Sequence, residues 1–366
     1  MSKSRFIRQW PGRLAILGLI FSALALLWVG CTEEHPDLSA PPQDQEQQEV
    51  VLSLDNPQVQ EAIAKQDRHT AELMAIPDVV GVGTGMTGDG RPAIVVLTKR
   101  ELKTRALDKQ APLPAEIEDV PVIEIVTGEI VALRKRPRQR IDPTARFDRP
   151  VPIGVSTGHP DITAGTIGCR VKDAQGNVYA LSNNHVYANE NLAQIGDAVI
   201  QPGTFDGGSL PNDFLGNLAD FEPIVFSTTA SNTIDAAIAS TTTALLGNST
   251  PSDGYGTPVS ATVAPAVNMR VMKYGRTTGQ TKGRVQAINA TVNVGYDSGT
   301  ARFVGQIVIG GGNFSAGGDS GSLIVVQKGR DQGKAVGLLF AGGGGVTIAN
   351  PIDPVLNRFG VTIDGQ

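Results

Sequence analysis

Three short stretches of this chain carry residue types that together could break an acyl bond. Ser320 lies in the glycine-rich turn Gly317-Gly318-Asp319-Ser320-Gly321-Ser322, directly before an apolar run. His185 lies in Ser182-Asn183-Asn184-His185-Val186, and Asp235 opens Asp235-Ala236-Ala237-Ile238-Ala239. A serine hydroxyl attacks efficiently only when a base takes its proton and nearby donors stabilise the oxyanion. A hydroxyl, an imidazole and a carboxylate therefore define a candidate site for nucleophilic catalysis.

Each of these residues alone has an ordinary structural explanation. A serine among glycines is usually a turn residue, a histidine is often packed or capping, and an aspartate often ends a strand. Here they occur in the order His185, Asp235, Ser320, about 50 and about 85 residues apart, which is an order known for catalytic triads. Glycines also let a turn aim two N–H groups at one point, and those of Gly318 and Ser320 are the expected oxyanion hole.

The three motifs together resemble those of the trypsin/chymotrypsin-like serine peptidases, over residues 151–366. The chain is similar to bacterial trypsin-like proteins of that family and to the plant narrow-leaf type proteases. The resemblance implies a mainly β fold, a double six-stranded antiparallel β-barrel. It places His185 and Asp235 in the first barrel and Ser320 in the second, and it implies a serine endopeptidase with a polypeptide substrate and an acyl-enzyme intermediate.

The same resemblance implies further cleft residues. Phe340-Ala341-Gly342 would be the strand edge that pairs with the substrate backbone, and Phe314 would form the floor of the primary specificity pocket. An apolar floor disfavours Lys or Arg at the cleavage site. The chain lacks the paired cysteines of the family and an Ile-Val-Gly-Gly activation terminus, so Asp319 needs another partner or lies exposed.

Two other functions stay open at this point. The chain could be a non-catalytic binding or scaffold protein on a protease fold, although all three triad residue types are present. It could also be a protease that cuts only itself, near its basic linker. The formal net charge of −5 gives no case for nucleic-acid binding, and four scattered histidines and two cysteines give no zinc spacing, so no metal or cofactor is expected. Cys169, in a β run, is expected to be a half-buried structural thiol.

Composition and patterning predict a β-rich chain. Gly and Pro are abundant, at 43 and 23 residues, and only 18% of residues are charged, which favours a globular fold with many turns and short strands. Runs of the strand type are predicted at residues 166–171, 178–181, 198–200, 214–221, 271–274, 284–287, 290–294, 303–309, 323–326 and 335–340, with a helix over 352–359.

Residues 51–133 are expected to form a separate small α+β domain that chaperones, inhibits or positions the rest. Apolar residues at helical spacing predict a helix over residues 59–74. A hairpin is predicted around Thr87-Gly88-Asp89-Gly90, an exposed helix over 99–109, and strands over 120–126 and 129–133.

The N-terminal 50 residues predict export. Residues 1–13 are basic and residues 14–30 are apolar or small, which is the pattern of an export signal. Cys31 follows directly, and the junction resembles a bacterial lipoprotein box, which implies acylation of Cys31 and attachment to the cell envelope. A signal anchor and an ordinary cleaved signal stay open. Residues 31–50 are expected to be a disordered acidic tether, and residues 134–150 a basic, solvated linker.

Overall fold

The computed structural model describes residues 51–102, 113–131 and 141–366. Residues Glu49–Gln366 form one compact unit. Several expectations lie outside the described residues: the export signal, acylation of Cys31, the acidic tether, most of the helix over 99–109 and the first half of the basic linker. In the three described ranges, no helix is both long and apolar enough to cross a bilayer.

Strands dominate the regular structure. In the described ranges the helices are α1 (Pro57–Met74), α2 (Asn184–Tyr187) and α3 (Ile352–Phe359). The strands are β1 (Val79–Met86), β2 (Pro92–Thr98), β3 (Glu116–Ile117), β4 (Val120–Val126), β5 (Ser156–Thr157), β6 (Gly165–Thr166), β7 (Cys169–Asp173), β8 (Val178–Ser182), β9 (Ala198–Ile200), β10 (Phe214–Phe221), β11 (Ala237–Thr241), β12 (Val259–Thr262), β13 (Arg270–Gly275), β14 (Gly279–Tyr296), β15 (Gly299–Gly310), β16 (Leu323–Val326), β17 (Lys334–Gly343), β18 (Val346–Pro351) and β19 (Val361–Ile363).

The first β unit is a six-stranded antiparallel sheet with the order β9-β10-β11-β8-β7-β19. Its core contains Leu181, Leu215 and Ile238, and α3 packs onto this core through Val355. The C-terminal strand β19, which the apolar pattern did not predict, pairs with β7. The end of the chain therefore completes the first unit.

The second β unit is a closed ring. Its strands follow the order β13-β16-β17-β18-β15-β14, and β14 pairs with β13 to close it. Apolar side chains such as Ile309, Ile324 and Leu339 fill the interior. The expected fold class, mainly β with six antiparallel strands in each half after an α+β segment, is confirmed.

The α+β segment has the predicted elements but is not separate. Helix α1 begins after Asn56, whose side chain accepts a hydrogen bond from the Gln58 N–H at 2.9 Å. The β1–β2 hairpin forms around the predicted turn. However, β1 also pairs with β14, with Gly81 opposite Val292. The expectation of a separate domain is therefore wrong. Strand β14 continues beyond the ring, and β1 pairs with its edge there, so that one sheet continues through β1 into β2, β4 and β3.

The described half of the basic linker is packed against the first β unit rather than solvated as a hinge. The Arg146 guanidinium donates to the buried carboxylate of Asp213 at 2.8 Å. The Phe147 side chain packs against the core of that unit. The expectation of a solvated linker is therefore wrong for residues 141–150. The charge of Arg146 is paired with a buried carboxylate, and the ring of Phe147 packs on an apolar surface.

Candidate active site

Strand register brings His185 and Asp235 together. Strands β8 and β11 are antiparallel, with Ser182 opposite Ala237. His185 follows the end of β8, on the single-turn helix α2, and Asp235 precedes the start of β11. Because the end of one antiparallel strand lies beside the start of its neighbour, the two residues leave the sheet at the same edge.

The Asp235 carboxylate holds the imidazole of His185. The distance from His185 Nδ1 to Asp235 Oδ2 is 2.6 Å, and the backbone N–H of His185 donates to Oδ1 at 3.3 Å. A carboxylate only accepts hydrogen bonds, so Nδ1 carries the hydrogen in this pair. The Asp235 side chain is fully buried, whereas the His185 side chain is 12% exposed. This arrangement fixes the ring and leaves Nε2 as the free nitrogen.

A tyrosine that the sequence did not indicate also binds Asp235. The Tyr296 hydroxyl donates to Asp235 Oδ2 at 2.9 Å, and its ring meets the His185 ring edge-on with centroids 5.9 Å apart. Burial raises the pKa of the Tyr296 phenol, and the neighbouring Asp235 carboxylate raises it further, so the group stays a donor. In the sequence, Tyr296 stands at a turn between two apolar runs, and this pattern does not indicate which residue its hydroxyl would bind.

Two buried amides hold the backbone at Asp235. Asn183 Nδ2 donates to the Asp235 carbonyl at 2.7 Å, and the Asp235 N–H donates to Asn350 Oδ1 at 3.1 Å. Asn350 lies on β18 of the second unit and donates in turn to Gln306 Oε1 at 2.7 Å. The position of Asp235 is therefore set by both β units.

The turn that carries Ser320 is held by strand β6, which pairs with β5 in a separate two-stranded sheet. The Thr166 N–H donates to the Ser320 carbonyl at 2.7 Å, and the Thr166 hydroxyl donates to the Gly318 carbonyl at 2.8 Å. Gly321 has φ +96°, and a Cβ there would lie 2.2 Å from the Thr166 carbonyl oxygen. Glycine is therefore required for this close approach.

The Ser320 hydroxyl donates to the Phe340 carbonyl at 3.3 Å rather than to His185. Ser320 is 2% exposed and lies with His185 on the wall of one cavity. In this structure the Ser320 hydroxyl is therefore bonded to a backbone carbonyl and not to the imidazole of His185.

Backbone N–H groups of the turn divide into bonded and free donors. Those of Asp319, Gly321 and Ser322 donate to the carbonyls of Ala316, Leu339 and Asp319. In the part of the chain that the structure describes, the N–H groups of Gly318 and Ser320 donate to no protein acceptor. Free, fixed donors are what an oxyanion hole requires.

Asp319 is buried and has a partner that the sequence did not reveal. The Lys273 ammonium lies 3.2 Å from Asp319 Oδ2, and both side chains are 0% exposed. Four further donors reach the same carboxylate: the N–H groups of Thr277, Thr278 and Ala316 and the hydroxyl of Thr278. Burial lowers the pKa of the Lys273 ammonium, and the Asp319 charge opposes that shift. The sequence signal that could have indicated this ion pair is a lysine, Lys273, within an apolar run.

The cavity beside Ser320 has a volume of about 620 Å³. It is lined by residues of both β units and of the N-terminal segment: Val131, Asp161, Ile162, Thr163, Ala164, His185, Val186, Asn189, Glu190, Leu192, Gly295, Tyr296, Asp297, Ser298 and Ser320. The turn between β14 and β15 forms one wall. Glu190 accepts from the Ser298 N–H at 2.7 Å, which ties that turn to the loop after His185.

The other residues that were expected in the cleft are buried in the core or are paired through their backbone. Phe314 is 1% exposed and packs in the core of the second unit, and it does not line the cavity beside Ser320, where it was expected as a pocket floor. Phe340 and Ala341 are buried in another core cluster, and Gly342 is paired with Val131. Cys169 is fully rather than half buried, and burial raises the pKa of its thiol.

Part of the chain matches a known family model. The model described as the Nal1 C-terminal domain matches residues 231–349, which is less than half of the chain. This span contains Asp235 and Ser320. No curated protein matches the chain.

Several solved structures similar to this chain are of proteases. Thermobifida fusca Protease A is 21% identical, with a TM-score of 0.43, and the match covers 59% of this chain and 99% of that one. The Nocardiopsis protease NAPase is 22% identical, with a TM-score of 0.42, covering 58% and 98%. Cellulomonas bogoriensis chymotrypsin is 22% identical, with a TM-score of 0.40, covering 60% and 100%. The likeness to trypsin/chymotrypsin-like proteases expected from the motifs is found, and it is one of fold.

Proposed function

We propose that this chain is a serine endopeptidase that cleaves peptide bonds through an acyl-enzyme. The observation that carries the proposal is the 2.6 Å contact between His185 Nδ1 and the buried carboxylate of Asp235, beside a cavity that both His185 and Ser320 line. An imidazole held at Nδ1 has Nε2 available to accept a proton, which is the property that a general base needs.

In the proposed reaction, Ser320 first turns its hydroxyl from the Phe340 carbonyl towards His185. The hydroxyl oxygen then attacks the peptide carbonyl carbon, and its proton passes to Nε2. The free N–H groups of Gly318 and Ser320 stabilise the oxyanion. His185 delivers the proton to the leaving amine, and water then attacks the acyl-enzyme by the same route, which releases the second product and restores the serine.

A fluorophosphonate probe tests this function, because it reacts with activated serines. We expect labelling of the wild type and none of Ser320→Ala. Ser322→Ala is the matched control: it lies in the same turn, but its hydroxyl donates to the Asp319 carbonyl at 2.6 Å, and labelling should persist. Absence of labelling in the folded wild type would support the scaffold alternative. Labelling without cleavage of any added peptide library would support a protease that acts only on itself.

We also propose export and attachment to the cell envelope through Cys31. The support is the basic stretch 1–13, the apolar stretch 14–30 and the position of Cys31 directly after it. Incorporation of radiolabelled palmitate should be lost in Cys31→Ala and kept in Cys169→Ala. Label that persists in Cys31→Ala would overturn acylation at this site.

A further inference from the structure

One edge of strand β17 leads away from the nucleophile. Along one side, β17 pairs with β18 as far as Gly343. Along the other, it pairs with β16 only up to Leu338. The last backbone bonds on that side are those of Leu339, whose N–H donates to the Ser322 carbonyl and whose carbonyl accepts from the Gly321 N–H. The backbone from Phe340 onward then passes Ser320, whose hydroxyl donates to the Phe340 carbonyl. A strand added to this edge brings its backbone to the nucleophile.

The chain itself occupies this edge. The Val131 N–H donates to the Gly342 carbonyl at 3.0 Å, and the Gly342 N–H donates to the Val131 carbonyl at 2.9 Å. Two residues that exchange both bonds form a hydrogen-bonded pair of an antiparallel ladder. On its other side the segment meets β14, where Val131 bridges to Gly295.

Side chains anchor the segment as they would anchor a bound strand. Ile130 is 3% exposed and packs in the same cluster as Phe340, whereas Val131 is 42% exposed and lines the cavity. The alternation of one buried and one exposed side chain is that of a strand. A Cβ at Gly343 would lie 2.0 Å from the Glu129 carbonyl oxygen, so glycine admits the segment here.

The register of the pair is that of a chain to be cleaved. In an antiparallel ladder, one step back along β17 is one step forward along its partner. A chain paired at Gly342 through one residue therefore runs towards Phe340 with the residues that follow. The Phe340 carbonyl is the group that accepts the Ser320 hydroxyl, so these later residues of a bound peptide approach the proposed nucleophile.

We propose that residues 129–131 occupy, in cis, the strand position of a peptide substrate, and that they keep other chains out until they are displaced. That the blocked site is a catalytic one rests on the proposed function. Occupation of the edge is a property of the folded chain and is measurable without catalysis.

The test measures binding to full-length Ser320→Ala, which cannot turn the peptide over. The probe is a fluorescein-labelled synthetic peptide with the sequence of residues 127–138, at physiological salt. Two added changes open the edge: Ile130→Asp places a charge in the apolar cluster, and Val131→Pro removes the N–H that binds Gly342. Val126→Asp is the control, because Val126 is 48% exposed on the same segment.

We expect fluorescence anisotropy to show about tenfold or tighter binding to both opened variants than to Ser320→Ala, because the peptide then gains the two backbone bonds and the pocket of Ile130. The control should bind like the parent. An unfolding temperature near that of the parent shows that a variant folds. The two opened variants are independent tests, because one changes a side chain and the other removes a backbone donor.

Equal peptide affinity in parent and folded opened variants overturns the occupied edge, whatever the probe labelling of Ser320 shows. Tighter binding to the opened variants supports it, even if the fluorophosphonate probe fails to label the wild type. In that second case the peptidase proposal fails and the self-occupied edge remains as a peptide-binding edge. The two proposals are therefore decided by different measurements.

Discussion

Two aspartates of the site are both fully buried, but their partners differ in kind. Asp235 binds the imidazole of His185 and the phenol of Tyr296, both of which line the cavity. Asp319 binds the ammonium of Lys273, which is itself 0% exposed. One carboxylate thus binds groups that line the cavity, and the other binds a cation that is fully buried in the protein.

The difference indicates a proposed catalytic role for Asp235 and a structural role for Asp319. A carboxylate that orients an imidazole stabilises the charge formed there during reaction. A carboxylate paired with a buried ammonium stabilises the local backbone, and the pair becomes costly when either partner is removed. Because Asp319 directly precedes Ser320, its ion pair holds the turn in which Gly318 and Ser320 keep free N–H groups. We therefore expect changes near Asp235 to lower the rate, and changes near Asp319 to lower stability.

Asp235→Asn should have the largest effect and should separate the two aspartates most clearly. The amide offers a donor where the imidazole needs an acceptor, so turnover should fall about 10⁴-fold, or about 5 kcal/mol, with little change in thermal stability. Peptide hydrolysis and thermal unfolding measure the two quantities. Asp319→Asn is the counterpart and should instead lower the unfolding temperature. A fall of less than about tenfold in Asp235→Asn would break the comparison.

Lys273→Met should lower the free energy of unfolding by about 3–5 kcal/mol, because it leaves the Asp319 carboxylate buried without a cation. Urea denaturation measures the change. Lys334→Met is the matched control: its partner Asp331 lies 2.7 Å away on the surface, and loss of an exposed pair costs less than about 1 kcal/mol. The double variant Lys273→Met/Asp319→Asn should recover stability. If it recovers none, the ion pair is not the cause.

Thr278→Val should cost about 1–3 kcal/mol of unfolding free energy, since its hydroxyl donates to Asp319 and accepts from Lys273. The Thr278 hydroxyl does not bond to His185, so turnover per folded molecule should stay within about twofold of the wild type. Denaturation and active-site titration together give both values. A loss of turnover without a loss of stability would place Asp319 in the chemistry and contradict the division.

Tyr296→Phe should have the smallest effect and sharpens the Asp235 side of the comparison. Removal of one hydrogen bond, with the ring kept, should lower turnover about two- to tenfold and leave the unfolding temperature nearly unchanged. Tyr179→Phe removes a tyrosine–aspartate bond of 3.1 Å to Asp173, away from the cavity, and should not affect turnover. The same kinetic change in both variants would mean that Tyr296 has no special role.

Local pattern predicted much of the second half of the chain. Strands β10 and β16 and helix α3 have the bounds that the sequence predicted, because apolar patterns and flanking turn residues act over a few neighbours. The motif around Ser320 predicted its turn and its two free N–H groups. The partners of that turn were not predictable, because Thr166 and Lys273 lie far from it in the chain and only the fold brings them near.

By itself, the sequence determined which residues could react and where a few strands, such as β9, β10 and β16, begin and end. Only the tertiary structure decided that Tyr296 reaches Asp235, that β1 joins β14, and that Val131 pairs with Gly342 near Ser320. The physical reason is that residue type sets local conformation, whereas any strand edge offers the same backbone donors and acceptors. Which segment meets which edge is decided when side chains such as Ile130 find their place in the core.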